Sequence, residues 1–248
     1  MRKEDTMGCI FLPAGDCALT VEFGREISDK LNDQVRAMSD ALKCANIPGV
    51  MEWVPTFRSL TIYYDPSRLS YGRLKRKVLG LSRSLTSVEN QTRRVIEIPV
   101  CYGGAYGEDL PDVAACTGLS VDEVVSRHCA GKYRIYMLGF LPGFAYMGGL
   151  DPALHTPRLK TPRTKILAGS VGIGGEQTGI YPMASPGGWR LIGMTPIKPY
   201  DPARQTPILF MPGDFVRFVP VGEEEFRSIR VQAEAGEYQC REYQEVRP

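Results

Sequence analysis

Residues 133–196 constrain the fold of this chain more than any other stretch, reading YRIYMLGFLPGFAYMGGLDPALHTPRLKTPRTKILAGSVGIGGEQTGIYPMASPGGWRLIGMTP. Their glycines and prolines fix backbone turns and leave only short β-rich pieces between them. Short strands with dense turn residues favour a closed or sandwiched β architecture. A strand over residues 95–100 leads into this region and another over 215–220 closes it. The last stretch, 223–248, opens with a short helical pattern (Phe226, Ile229, Val231), and its charged end is expected to fray.

The first part of the chain has a different texture. Residues 18–23 have strand character, after which Ile27, Leu31, Val35, Met38 and Leu42 recur at helical spacing with Ser28 as N-cap. Pro48 and Gly49 end that helix. Strand-like runs follow at 50–56 and 59–64, and Ser70 caps a segment whose apolar stripe is Leu74, Val78, Leu81 and Leu85. The order strand, helix, strand, strand, helix is most of a split β-α-β motif, the ferredoxin-like arrangement, with no identifiable closing strand. Residues 82–94 lose apolar periodicity, which places a boundary near residue 92. The expected fold class is therefore α+β, with an α+β domain over 1–92, a β-rich domain over 93–222, and a C-terminal helix and tail over 223–248.

Composition narrows the function classes. The chain has 248 residues, 43% hydrophobic and 23% charged, as in an ordinary globular protein. Thirty Lys and Arg against 28 Asp and Glu leave a charge of +2, too little to gather nucleic acid or an anionic membrane. The basic start has no apolar run behind it and no stretch is long enough to span a bilayer, so a cytoplasmic location is expected. Seven scattered cysteines without C-x-x-C spacing suggest neither a disulfide framework nor a zinc site.

Three motifs carry competing readings. In PDVAACTGLSVDEVVSRH, residues 111–128, Ala114, Gly118 and Val124 have helix-turn-helix spacing. Asp122 and Glu123, however, would lie beside DNA phosphates, and Ser120 with Glu123 makes an ordinary capping box. In GSVGIGGEQTG, residues 169–179, the glycines fit neither a dinucleotide fingerprint nor a P-loop. Val171 and Ile173 alternating with glycine suit a strand approached closely by another backbone or a ligand. The two histidines, His128 and His155, lie far apart without carboxylates at ligand spacing, so no metal or prosthetic group is expected. His128 is a candidate general acid or base, or else the end of its helix.

The dense segment supplies the candidate pocket. Phe140, Phe144, Tyr146, Tyr181 and Trp189 offer aromatic walls, Arg158, Arg163 and Lys165 local positive charge, and Gln177, Thr178 and Ser185 uncharged hydrogen-bonding groups. Such a mixture fits a small-molecule pocket with an anionic component, and composition alone leaves open a β-core with tight turns.

These residues also carry a family resemblance. The run from Tyr136 to Pro196, together with PGDFVRFVPV, GDCALTVEFG and IPGVMEWVPTFRSLTIYYDP, resembles the B subunit of 5-oxoprolinase, the KipI-like or allophanate hydrolase subunit 1 family, across almost the entire chain. The resemblance implies a ferredoxin-like domain followed by a cyclophilin-like β-barrel. It further implies work with two other components of 5-oxoprolinase, a KipA-like C subunit joined by an A subunit, which together open 5-oxoproline to L-glutamate with ATP, and Mg²⁺ alongside ATP. The same family leaves two other readings, a KipI-type inhibitor of a sporulation histidine kinase and a carboxyltransferase component of a biotin-dependent urea carboxylase.

Overall fold

The computed structural model describes residues 9–83 and 92–246, and the chain divides into two compact units, Met1–Gln91 and Thr92–Pro248. Leu85, most of the polar boundary segment and the last two residues lie outside the described residues.

The first unit runs β1 (Ile10–Pro13), β2 (Ala18–Glu22), α1 (Asp29–Ala45), β3 (Val50–Pro55), β4 (Ser59–Tyr64) and α2 (Tyr71–Arg83). Its sheet has the order β1-β2-β4-β3 with every neighbour antiparallel. Helix α1 begins where the Ser28 hydroxyl accepts the Leu31 N–H at 3.3 Å, a cap that satisfies one of the free amides of the first turn. It ends at Asn46, in the left-handed region at φ 39°, ahead of the Pro48-Gly49 pair expected to stop it. Val35, Met38 and Leu42 then meet Leu74 and Val78 of α2 over the Leu19, Val21, Leu60 and Ile62 face of the sheet. Ile27 precedes the cap and is 57% exposed, so it is not part of that stripe. Strand β1 was not legible beforehand. It holds the edge beside β2, and no strand follows α2 among the described residues of this unit.

The second unit contains β5 (Thr92–Tyr102), α3 (Leu110–Thr117), α4 (Val121–Ala130), β6 (Tyr133–Leu138), β7 (Ala145–Gly148), β8 (Arg163–Ile166), β9 (Ser170–Gly174), β10 (Gln177–Ile180), β11 (Ser185–Gly187), β12 (Arg190–Met194), β13 (Phe215–Pro220), α5 (Glu223–Glu234) and β14 (Glu242–Val246). Seven of the strands close a barrel in the order β12-β9-β10-β7-β6-β13-β5, with β5 returning to β12. The long β5 makes this closure possible. One edge pairs in parallel with β13 along Val95–Val100, while the other carries β14 over its first half and β12 at Cys101 and Tyr102. Gly193 stands at the seam, where a Cβ would come within 2.8 Å of the Cys101 carbonyl. Residues 242–246, expected to fray, form β14 because the first half of β5 leaves a free edge that an extended chain satisfies.

Helices α3 and α4 form the helical pair, and Ser120 and Glu123 make the capping box in both directions. In α5, Phe226 and Ile229 are buried, whereas Val231 is 68% exposed and lies off the buried face. Among the described residues no disulfide links the cysteines, and no helix is long and apolar enough to cross a membrane.

Inside the barrel, Val171, Ile173 and Ile180 pack with Ile96, Ile98, Tyr133, Ile135, Met147, Val216 and Phe218. Helix α4 sends His128 into this core, fully buried and stacked on Phe218 at 4.6 Å between ring centroids. Its Nε2 lies 2.8 Å from the Thr178 hydroxyl on β10 and its Nδ1 2.7 Å from the Tyr102 hydroxyl on β5. The Thr178 hydroxyl donates to the Gly172 carbonyl at 3.0 Å, so it accepts from Nε2–H, which leaves Nδ1 to accept from Tyr102. The Tyr133 hydroxyl donates to the His128 carbonyl at 2.7 Å. The residue singled out as a general acid or base is thus a sealed, neutral core histidine, and burial pushes its imidazole down to about 3.

A base whose folded pKa is depressed contributes stability that is full above its unfolded pKa of about 6.5 and declines as pH falls toward the folded value. We expect a loss of about 1.4 kcal/mol per pH unit on the acid side from this one residue. Urea denaturation between about pH 7.5 and 5 on the parent chain and on His128→Phe measures it; an identical acid-side slope in both shows that His128 is not the source.

Candidate functional site

Strands β8 and β11 pair with each other and stand apart from the barrel sheet as a two-stranded ribbon. Period-two alternation along β9 and β10 explains what lies against the barrel there. Val171, Ile173, Thr178 and Ile180 turn inward, which turns Gly172, Gly174 and Gly179 outward. A Cβ on Gly174 would run into Trp189 Cδ1, and one on Gly179 would lie 3.1 Å from Trp189 Cζ3. The glycines of residues 169–179 therefore make a flat bed for the indole, and the close approach read from their pattern is that of a side chain.

On this bed a second small core assembles from Phe144, Ile166, Tyr181, Trp189 and Leu191, with Leu141 and Tyr146 packed against it. Phe144 is its hub: Tyr146, Tyr181 and Trp189 stand edge-on to it at centroid distances of 5.1, 5.7 and 5.7 Å, the favoured geometry for ring quadrupoles. Phe140, at φ 64° and 62% exposed, leans edge-on to Phe144 from outside at 5.5 Å. Four of the aromatic residues read from the sequence thus converge, and Phe144 and Trp189 are packed walls rather than open surfaces.

The cations separate into different environments. Arg158 is exposed, with its guanidinium 5.9 Å from the Trp189 ring centroid. Arg163 on β8 is held by Asp109 (Nη2 to Oδ1, 2.7 Å) and Glu108 (Nε to Oε1, 3.0 Å), and the Asp109 hydrogen bond raises its pKa. Asp109 is itself buried at the start of α3 and accepts the Leu191 N–H at 2.6 Å, tying that helix, β12 and the ribbon together. Lys165 is exposed. Burial raises the pKa of the Tyr181 phenol, while the Trp189 amide and the charges of Arg158 and Arg163 act in the opposite direction. Both guanidinium groups therefore stand within electrostatic reach of the Tyr181 hydroxyl.

Of the uncharged candidates, Ser185 lies on β11 in the ribbon, 7% exposed, and its hydroxyl finds no hydrogen-bond partner among the described residues. Gln177 is half-buried at the start of β10. Thr178 and His128 belong to the barrel interior, because on β10 the side chain after Gln177 points inward. Glu108 and Asp109 were missed; an acidic pair ahead of a helix reads as local capping, and its partner 54 residues away leaves no sequence signal. A cleft of about 820 Å³ lies elsewhere, between residues 197–209 and the end of α5, and contains none of the candidate residues. Among the described residues no group of three or more His, Cys, Asp or Glu side chains could hold a metal ion.

Residues 9–210 match the carboxyltransferase domain, subdomain C and D. The B subunit of 5-oxoprolinase from Bacillus subtilis (strain 168) is 40% identical over 88% of this chain and 95% of its own length. That of Escherichia coli O157:H7 is 45% identical over 84% of this chain and 94% of its own. The crystal structure of TTHA0988 superposes with a TM-score of 0.74 at 43% identity over 83% of this chain; this chain spans 40% of that longer one. The Kluyveromyces lactis urea carboxylase is alike in fold alone, with a TM-score of 0.81 at 21% identity over 99% of this chain and 25% of its own.

The glycine bed makes a specific demand. Gly174→Ala should destabilise the chain by about 1–3 kcal/mol through overpacking against Trp189, and in a Trp53→Phe background should shift the emission of the remaining tryptophan. Pairing it with Trp189→Ala should remove most of that penalty in denaturant titrations. An undiminished penalty in the double variant places the clash elsewhere.

Proposed function

The chain belongs to the family of 5-oxoprolinase B subunits, within the carboxyltransferase subdomain C and D group, and on that premise we propose that it contributes the lactam-binding part of a multi-subunit enzyme. The reaction proposed is the opening of 5-oxo-L-proline by one water to L-glutamate, coupled to the conversion of ATP and a second water to ADP and phosphate. The proposed partners are the KipA-like C subunit of the enzyme together with its A subunit, this chain being inactive alone, and the cytoplasm is the proposed setting. In the same reading the first unit is a ferredoxin-like arrangement with β1 at its closing edge, and the seven-strand barrel is cyclophilin-like. The single observation that carries the functional reading is 40–45% identity to two 5-oxoprolinase B subunits over nearly their whole length.

In this reading the chain has a positioning task. An unstrained lactam is a poor electrophile, and ATP coupling helps if the carbonyl oxygen is phosphorylated. Such a transfer depends on alignment and charge placement more than on a protein nucleophile. The ring edge of a five-membered lactam suits half-buried Tyr146 at the margin of the Phe144–Trp189 cluster, and Arg158, exposed beside Trp189, suits its carboxylate. Glu108 and Asp109 are engaged by Arg163, and among the described residues no three His, Cys, Asp or Glu side chains gather, so the residues of this site do not fit a magnesium ion. ATP with its Mg²⁺ is accordingly proposed to be held elsewhere in the assembled enzyme, and this chain's residues act on the lactam. The carboxyltransferase alternative has only distant relatives behind it, alike in fold.

Reconstitution with the neighbouring subunits should release glutamate from 5-oxoproline only when ATP is supplied; a fully assembled complex that releases none refutes the proposal. In that complex Arg158→Ala should raise the KM for 5-oxoproline by about five- to tenfold with a smaller change in kcat, as expected for a lost carboxylate contact. Because Arg158 is exposed, the variant should keep the parent's melting temperature.

A further inference from the structure

Two donor groups in the ribbon have no acceptor among the described residues: the Ser185 hydroxyl and Nη1 of Arg163, both buried. Unpaired buried donors are costly, on the order of 1–3 kcal/mol each, and call for an explanation. Their placement supplies one. Ser185 pairs with Ile166, and paired residues of antiparallel strands share a face; Ile166 lies in the aromatic cluster, so the serine faces it too. Arg163 pairs with Gly187, where a Cβ would abut the Tyr181 hydroxyl at 2.5 Å and Ile166 Cδ1 at 2.7 Å. The register shift between Ser185 and Gly187 thus brings both pairs to the same side.

Charge selects the ligand. Arg163 already faces Glu108 and Asp109, two carboxylates against one guanidinium, so a further full negative charge is disfavoured there. A neutral acceptor oxygen meets no such penalty. From this we infer that Ser185 and Arg163 form a subsite for the carbonyl oxygen of an uncharged amide or lactam, separate from the anion-binding position at Arg158. This deepens the proposed function and rests on it: 5-oxoproline presents one neutral lactam oxygen and one carboxylate, and the site offers one fitting place for each.

Ligand-observed NMR on the full chain, alone and copurified with its partner subunits, separates the two claims with 5-oxo-L-proline and 2-pyrrolidinone, which keeps the lactam and lacks the carboxylate. Ser185→Ala should weaken both by roughly tenfold, the value of about one hydrogen bond, and Ser185→Thr should restore binding. Arg158→Ala should weaken 5-oxo-L-proline and leave 2-pyrrolidinone unchanged. Ser185→Ala, verified as folded by its melting temperature, that binds both probes like the parent overturns the subsite while the oxoprolinase reading stands. A parent chain that binds neither probe in either state overturns the reading itself.

Discussion

One buried histidine ties two non-adjacent strands of the barrel together. His128 leaves a helix, enters the core and bonds to β5 on one side and β10 on the other, strands three steps apart around the shorter arc of the ring. Neither strand pairs with the other, so no ladder hydrogen bond fixes their separation. The imidazole does so, with both nitrogens satisfied and one face on Phe218. The cost is a titratable group that must stay neutral at full burial, offset by two hydrogen bonds that strengthen in a low-dielectric interior. Moving α4 away would take from the Tyr102 hydroxyl its acceptor and from the Thr178 hydroxyl the donor it accepts from, which couples the helical pair to the wall of the barrel.

That wall has two faces with different tasks. Inward, β9 and β10 carry Val171, Ile173, Thr178 and Ile180 into the core. Outward, they carry glycines, and the missing side chains let Trp189 lie flat and bring the ribbon of β8 and β11 close. The candidate site is therefore built on the outside of the barrel. Asp109 fastens it there, receiving Leu191 N–H from β12 and Arg163 from β8. Position of the site is thus inherited from the barrel, while its chemistry comes from the ribbon.

Much of this was legible where it depended on local periodicity. The apolar stripes of α1 and α2, the Ser120–Glu123 capping box and the alternation at residues 171–173 are written into nearest neighbours. Aromatic and glycine content also announced a crowded region around Trp189. What stayed hidden was pairing at a distance. Thr178 and Ser185 have the same chemistry in a composition-based pocket, yet the β10 register sends the threonine to His128 and the β11 register sends the serine to the aromatic cluster. Arg163 read as a free cation because nothing in its neighbourhood reveals that Glu108 and Asp109 neutralise it. Strand β1, only four residues long, carries too little alternation to stand out from the residues around it.

The split between balanced and unbalanced cations has a consequence for how such a site selects ligands. Arg158 has the face of Trp189 nearby and lies exposed, so its charge is available and screened by solvent. Arg163 is fixed by two carboxylates, which rigidifies its planar fork and leaves the Nη1 nitrogen to aim. A rigid donor that has already lost its net charge discriminates by geometry and by the presence of an acceptor, since an analogue lacking that acceptor leaves the donor unpaired. An exposed cation contributes attraction with little geometric demand. In the proposed reading, charge at exposed Arg158 draws a ligand in and hydrogen bonding at Arg163 decides whether it is held.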